Sequence, residues 1–468
     1  MIRIEADLLI PGQGTPVRDG VVILDGTRID YAGPASVAPS TPGAVVHRAT
    51  TVLPGLWDCH THLLGTRSAN LERVPLEPTE LRAARCVRDL RAALSAGFTS
   101  VREVGGLGVF LSRAVAEGSV SGPTVYAAGA ILSTTGGHGD LHAFPLDWVE
   151  SFTEGTSMMR LCDGVASCMR AVREQLRRGA SLIKVCASGG VLSEVDDPVH
   201  QQFTLTELRA TVEVAGLASR SVAAHCHGKP GIMAALEAGV RTIEHGTYLD
   251  DECCDAMRET GAILVPTRTI ISELLSSDTD MPEYARVKLS GIAATHAEAI
   301  ALAYSHGVTI ACGTDIAASG ADLPNSWGRN GRELALLVSC GLTPLDALAA
   351  ATANGPLTLG AMAPRSGRLE AGFDADVLCV AGDPVADISV LSSPANVTAV
   401  WKAGRQVVGA SAALPDPAPL DRSAPGQAAC PGRTAPRVGG MRPGRPHAPG
   451  RTACPLPGGM PPARRHPR

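Results

Sequence analysis

The chain has 468 residues, of which 45% are hydrophobic and 19% charged, and a formal net charge of −5. That length is enough for one large domain or a barrel with additions, and the balance is ordinary for a soluble globular protein. The mild acidity offers no electrostatic footprint for nucleic acid or an acidic membrane, and no run of about 18 apolar residues marks a membrane span, so a small molecule is the expected partner.

From Ile2 to about Val52 the sequence reads as short strands broken by PGQG, LDGTRI and AGP. Short β-branched runs then alternate with longer helical patterns rich in Ala, Leu, Glu and Arg. The runs are GLWDCHTH, FTSVREV, TVYAAGAI, SLIKVCA, SVAAHCH, TIEHG, AILVPT and VTIACGTD, eight in all. Between them lie helical stretches such as ELRAARCVRDLRAALSAG and ASCMRAVREQLRRGA, several ending at glycine. This alternation predicts an α/β fold with parallel strands, and eight strands are what a closed (β/α)8 TIM barrel requires. The segment from Gly367 to about Val408 is again strand-like and too small to stand alone. The two ends are therefore expected to pair into one flanking β-domain. The expected boundaries are 1–54 and 365–410 for that composite β-domain, 55–364 for the barrel, and 411–468 for a disordered tail dense in Pro, Gly and Arg.

The opening MIRIEADLLIPGQG lacks the basic stretch and long apolar core of a secretory leader. Thirteen cysteines, an odd number with Cys253 and Cys254 adjacent, point to free thiols and a reducing cytoplasm. Cys59 and Cys226 flank polar residues but alternate to the opposite strand face, so packing is their expected role.

Unusual polar residues gather at the ends of the predicted strands. His60 and His62 lie one residue apart on the first and so share a face. Lys184 lies in the fourth, His225 ends the fifth, His245 the sixth and Asp315 the eighth. In a barrel those ends form the face that carries active sites. Four histidines with an aspartate suit zinc and exceed what one tetrahedral catalytic ion needs, which points to two ions. Two cations need an anion between them. Burial of Lys184 in LIKVCA disfavours its ammonium form, and the neutral amine can add carbon dioxide to give a bridging carbamate.

The segments DCHTH, IKVCASGG, AHCHG, IEHG and GTD together resemble the amidohydrolase superfamily of metal-dependent hydrolases, closest to its prolidase, dipeptide carboxypeptidase and ochratoxin-amidase branch. The likeness spans about Ile2 to Val408. It implies that His60, His62, Lys184 and Asp315 hold a more buried ion, and Lys184, His225 and His245 a more exposed one. It further implies that His138, His227 and Tyr248 face the substrate, with His138 or Tyr248 polarising the scissile carbonyl and Asp315 as general base and acid. An N-acyl amino acid or dipeptide is the implied substrate, and a homo-oligomer without nucleic-acid or membrane partners is expected.

Three rivals remain open at this point. A mononuclear deaminase needs a glutamate soon after the fifth-strand histidine, where this chain reads HCHGKP. A scaffold that has lost catalysis has no need of the full ligand set. A lactonase or carbamate hydrolase would use the same metals. Arg329 and Arg332 are expected on the surface, with a substrate carboxylate as the alternative partner, and Asp196 and Asp197 as turn formers before Pro198.

Overall fold

A computed structural model of the chain describes residues 1–155, 158–276 and 281–409. The tail expected from 411 onward lies outside the described residues. Among those described, no helix is long and apolar enough to cross a membrane.

The N-terminal stretch forms short strands, as its turn-broken sequence predicts. Ile2–Leu9 runs antiparallel to Val17–Asp25, which pairs in turn with Arg28–Pro34. On its other edge Ile2–Leu9 runs parallel to Val45–Pro54. That strand takes Val377–Val380 as an antiparallel neighbour, followed by Val397–Lys402 and Arg405–Val408. Seven strands from the two ends of the sequence thus share one sheet. One of its faces buries Ile4, Leu9, Val22, Leu24, Val52, Val377 and Trp401 in a separate core.

Parallel strands build the rest. One sheet orders Ile316–Ala318, Leu56–Thr66, Phe98–Glu103 and Thr124–Ala127. The other orders Ile263–Val265, Thr242–His245, Val222–Cys226, Ile183–Cys186, Ile131–Ser133 and Met159–Leu161. Helices such as Thr79–Ser95, Val165–Arg178 and Lys229–Ala238 connect them. The arrangement is an α/β fold of parallel-strand sheets, consistent with a TIM-barrel-type fold. The helix Val165–Arg178 ends where Gly179 adopts φ 95°, a conformation that costs a residue without Cβ little.

Two expected strands differ from their reading. TVYAAGAI is not continuous: Gly129 turns with φ 77°, and the run divides into Thr124–Ala127 and Ile131–Ser133. VTIACGTD forms no regular strand, and the ladder next to His60 begins only at Ile316. Its backbone nonetheless bonds to both neighbours, Ala311 N–H donating to Leu264 O at 2.9 Å and Cys59 N–H to Cys312 O at 2.7 Å. The physical reason lies in Gly313, where a Cβ would stand 2.3 Å from Val265 Cγ1, so chain packing there is too tight for an ordinary ladder residue. At the other seam Ser181 N–H donates to Ala127 O at 2.7 Å.

All eleven described cysteines are free and buried. Cys59 and Cys226 pack into apolar clusters, as the strand alternation requires.

Candidate active site

Parallel register delivers the site. Cys186 pairs with His225, and Cys226 with His245, so successive strands bring their last residues to one level. His245, at the end of its strand, and Asp315, just before Ile316–Ala318, both have positive φ, 69° and 60°. Non-glycine residues held there cost about 1–3 kcal/mol each, a strain typical of functional positions.

Two groups of ligand-type side chains result. His60, His62 and Asp315 form one, and His225, His227 and His245 the other, with each group's ligand atoms within 4.8 Å of one another. His62 Nε2 stands 3.2 Å from Asp315 Oδ1. The groups adjoin, since the His60 and His245 rings are 5.0 Å apart by centroid. His227, expected only to face substrate, falls within the second group. Lys184 lines the same cavity, is 2% exposed, and its Nζ has no hydrogen-bond partner among the described residues.

Each ring is oriented from behind. His60 Nδ1–H donates to Glu244 Oε2 at 2.7 Å and His62 Nδ1–H to Gly105 O at 2.8 Å, which turns both Nε2 atoms toward Asp315 Oδ1, 3.7 and 3.2 Å away. His225 is turned the other way, with Nε2–H donating to Gly189 O at 3.1 Å, so its Nδ1 is free. Carbonyl and carboxylate oxygens can only accept, which fixes these tautomers. His245 Nδ1 and His227 Nδ1 are each 2.7 Å from a threonine hydroxyl, on Thr267 and Thr247. Such outer contacts orient metal-ligating imidazoles generally.

The electrostatics match this preparation. Burial above all, with Lys184 nearby, brings the His60 imidazole down to about 4. Burial and neighbouring imidazoles hold His225 and His245 well below the ordinary histidine range. Burial lowers the Lys184 amine against the pull of Glu244 and Asp315. Burial opposes charge on Asp315, but His60 and His62 outweigh it and hold that carboxyl below its usual range.

His138 reaches the pocket as expected. Its ring stacks on His225 at 4.2 Å, its Nδ1 is 2.8 Å from Ser193 Oγ, and a Cβ on Gly190 would stand 2.0 Å from that same Nδ1. Tyr248 is less central. It packs against the apolar group of Val191, Ile271, Leu289 and Ile292 beside the pocket and is not among the cavity's lining residues. Arg329 and Arg332 each pair with the Glu273 carboxylate, which accounts for both without a substrate carboxylate. Asp197 is the turn former expected, its Oδ1 accepting from Val199 N–H. Asp196 is more than that: Oδ2 accepts from Gly190 N–H at 2.7 Å and Gln202 Nε2 at 3.2 Å, because the loop folds back on itself.

Three supporting residues escaped the sequence reading. Asp58 accepts from Thr314 Oγ1 at 2.6 Å, Asn330 Nδ2 at 2.7 Å and Thr314 N–H, tying the first strand to the turn that carries Asp315. Burial pushes its carboxyl up to about 6 against those bonds. Glu244, behind His60, is itself gripped by Arg102, whose Nη2 lies 2.6 and 2.7 Å from its two oxygens. Both are fully buried.

Imidazoles with one free nitrogen, a carboxylate and an unpartnered buried amine suit divalent cations, so the residues fit a metal centre. The cavity above them holds about 120 Å³ for solvent-sized occupants, and its remaining walls are largely apolar, including Leu64, Met159, Val191 and Ile271.

Parallel-strand architecture with such a centre defines a metal-dependent hydrolase, and the chain belongs to the amidohydrolase family, whose model matches residues 51–407. It is a hydrolase of amide carbon–nitrogen bonds. Among its relatives, the ochratoxinase of Aspergillus niger is 40% identical over 424 residues, covering 86% of this chain and 85% of that protein. The crystal structure of that ochratoxinase aligns with a TM-score of 0.82 at 39% identity, over 88% of this chain and 96% of the other. A prolidase solved with N-methylphosphonate-L-proline aligns at 0.79 and 32% identity, over 87% and 99%. A Xaa-Pro dipeptidase with bound methionine aligns at 0.76 and 31%, over 86% and 99%.

Proposed function

We propose that this protein hydrolyses the amide bond of an N-acyl amino acid or a dipeptide at a two-cation centre on a (β/α)8 barrel, flanked by a β-domain made from 1–54 and 365–410. The observation that carries the reading is Lys184, a buried amine without a partner beside two groups of ligand atoms. Its neutral Nζ adds to the carbon of CO2 and releases a proton, giving a carbamate whose oxygens replace the missing anion. His60, His62, Lys184 and Asp315 would hold one cation and Lys184, His225 and His245 the other, zinc being the expected metal. Such cations lower the pKa of water and polarise a carbonyl.

Asp315, kept anionic by His60 and His62, takes the proton of the attacking water and gives it to the leaving nitrogen. His138, oriented by Ser193, is placed to donate to the carbonyl oxygen as charge develops on it. His227, which lines the cavity, and Tyr248, in the apolar group beside it, are assigned to the substrate. The names of the prolidase and dipeptidase relatives support a dipeptide-like substrate, and buried free thiols support a cytoplasmic, reducing setting. A homo-oligomer is proposed as the working state.

The test is a screen of N-acyl amino acids, dipeptides and lactones with zinc-loaded protein, with and without bicarbonate. Turnover of amides, enhanced by bicarbonate, is expected. Turnover of lactones alone would replace the amidase by a lactonase on the same centre.

A further inference from the structure

The loop after the Lys184 strand carries much of one pocket wall. Val191 and Leu192 line the cavity, and Ser193 holds His138. The loop is short of regular structure, and four of its carbonyls, those of Gly190, Ser193, Glu194 and Asp196, turn toward a single point. That point is occupied by the ammonium of Lys288, on the helix Glu283–Ser305. Lys288 Nζ donates to Ser193 O at 2.7 Å and to Asp196 O, and stands 3.4 Å from Gly190 O and Glu194 O. Four backbone acceptors around one tethered cation is a hub, not a surface ion pair. Charge-assisted bonds of this kind are stronger than neutral ones, and the cation has no free rotation to lose beyond its own stem.

The same helix contributes to the pocket wall and packs there with Val191 of the loop. Leu289 and Ile292 line the cavity, one and four residues after Lys288. Through the loop, the hub connects to His138 by two routes. Ser193 reaches its Nδ1, and Asp196 holds Gln202, whose Oε1 accepts from the His138 N–H at 3.1 Å.

We propose that Lys288 is a positioning residue, a half-buried cation that organises the loop Gly189–Asp197 and thereby sets both the apolar wall and the orientation of His138. The inference rests on the amidase reading for its catalytic consequence but not for its structural one. Lys288 touches neither the two ligand groups nor Lys184, and the loop carbonyl that orients His225, Gly189 O, is not among those it binds, so zinc content is expected to survive its loss.

The experiment compares wild type, Lys288→Met, which keeps the length of the stem, and Lys288→Gln, which restores a neutral donor. Metal content, kcat and KM for a hydrolysed N-acyl amino acid, and the rate of Glu-C cleavage after the exposed Glu194 are measured on the full chain. Lys288→Met should bind as much zinc as wild type, lose about 10- to 100-fold in kcat/KM with effects on both constants, and be cut at Glu194 at least about tenfold faster, as follows from losing a charge-assisted anchor. Lys288→Gln should fall between. Wild-type cleavage and kinetics in Lys288→Met overturn the proposal, as does loss of zinc in step with activity in a folded variant. Should Lys288→Met not fold, the cleavage rate of Lys288→Gln decides alone, a wild-type value counting against the hub. Should wild type hydrolyse no amide, the functional reading fails while the Glu194 cleavage rate still tests the hub.

Discussion

The Nδ1 of His60 lies 2.7 Å from the carboxylate of Glu244, and this one bond determines which ring nitrogen faces the cavity. Glu244 can do so only because Arg102 neutralises it in a fully buried setting, where an unpaired charge would cost several kcal/mol. Arg102 and burial act in opposite directions on Glu244, and the guanidinium prevails, keeping the carboxyl far below its usual range.

Replacing Glu244 by Gln keeps its shape and removes its charge. Zinc affinity should then fall by roughly 10- to 100-fold, the usual cost of losing such an outer partner, and the Arg102 guanidinium is left partly unpaired. Equilibrium dialysis with a zinc indicator checks this; an unchanged affinity would show that Glu244 serves only the fold.

Asp315→Asn retains the size of the side chain but cannot hold the proton of the attacking water. We expect kcat to fall by about 100-fold or more while KM changes little, in line with general acid–base contributions. Steady-state kinetics at matched zinc content measure the effect.

Lys184→Ala should lose stoichiometric zinc binding, and wild-type apoprotein reconstituted in CO2-free buffer should regain less activity than with bicarbonate present. Mass spectrometry of the gently ionised protein and metal analysis report both. Equal recovery in the two buffers would sink the carbamate.

His296 gives a stability signature that is read without an activity assay. It is fully buried, its Nε2–H donates to Pro266 O at 2.7 Å, and burial brings its imidazole down to about 4. Its unfolded value is the higher one, so the unfolded chain binds the extra proton first as pH falls below about 6.5. Its neutral form therefore supports the fold fully above that pH and progressively less between there and about 4. Between pH 7 and 5 wild type should lose about 2 kcal/mol more than His296→Gln, from 1.36 kcal/mol per unit. Urea unfolding of both proteins at the two pH values reads the difference.

The side chains that meet at the cavity were legible because they break a local pattern. His60 and His62 share a strand face, Lys184 interrupts an apolar run, His225 and His245 lie at the ends of neighbouring strands, and Asp315 ends an apolar segment. Arg102 and Glu244 interrupt strands in the same way, yet their meaning is pairwise: 142 residues separate them, and neither reads as a partner until the strands are placed. Lys288 carried no signal at all, since a lysine on a helix is ordinary until backbone carbonyls are found around it. The last parallel segment was legible as apolar chain but not as irregular, because the cause is the close approach of Gly313 to Val265 and His60.

The sheet shared by both ends has a consequence for biosynthesis. Thr51 Oγ1 donates to Gly382 O across 331 residues, beside the pairing of Val45–Pro54 with Val377–Val380. During translation the earliest strands must wait for their final neighbour until nearly all of the described chain has left the ribosome. The nascent protein carries an open strand edge through most of its synthesis, a period in which pairing with another copy competes with completion of its own sheet.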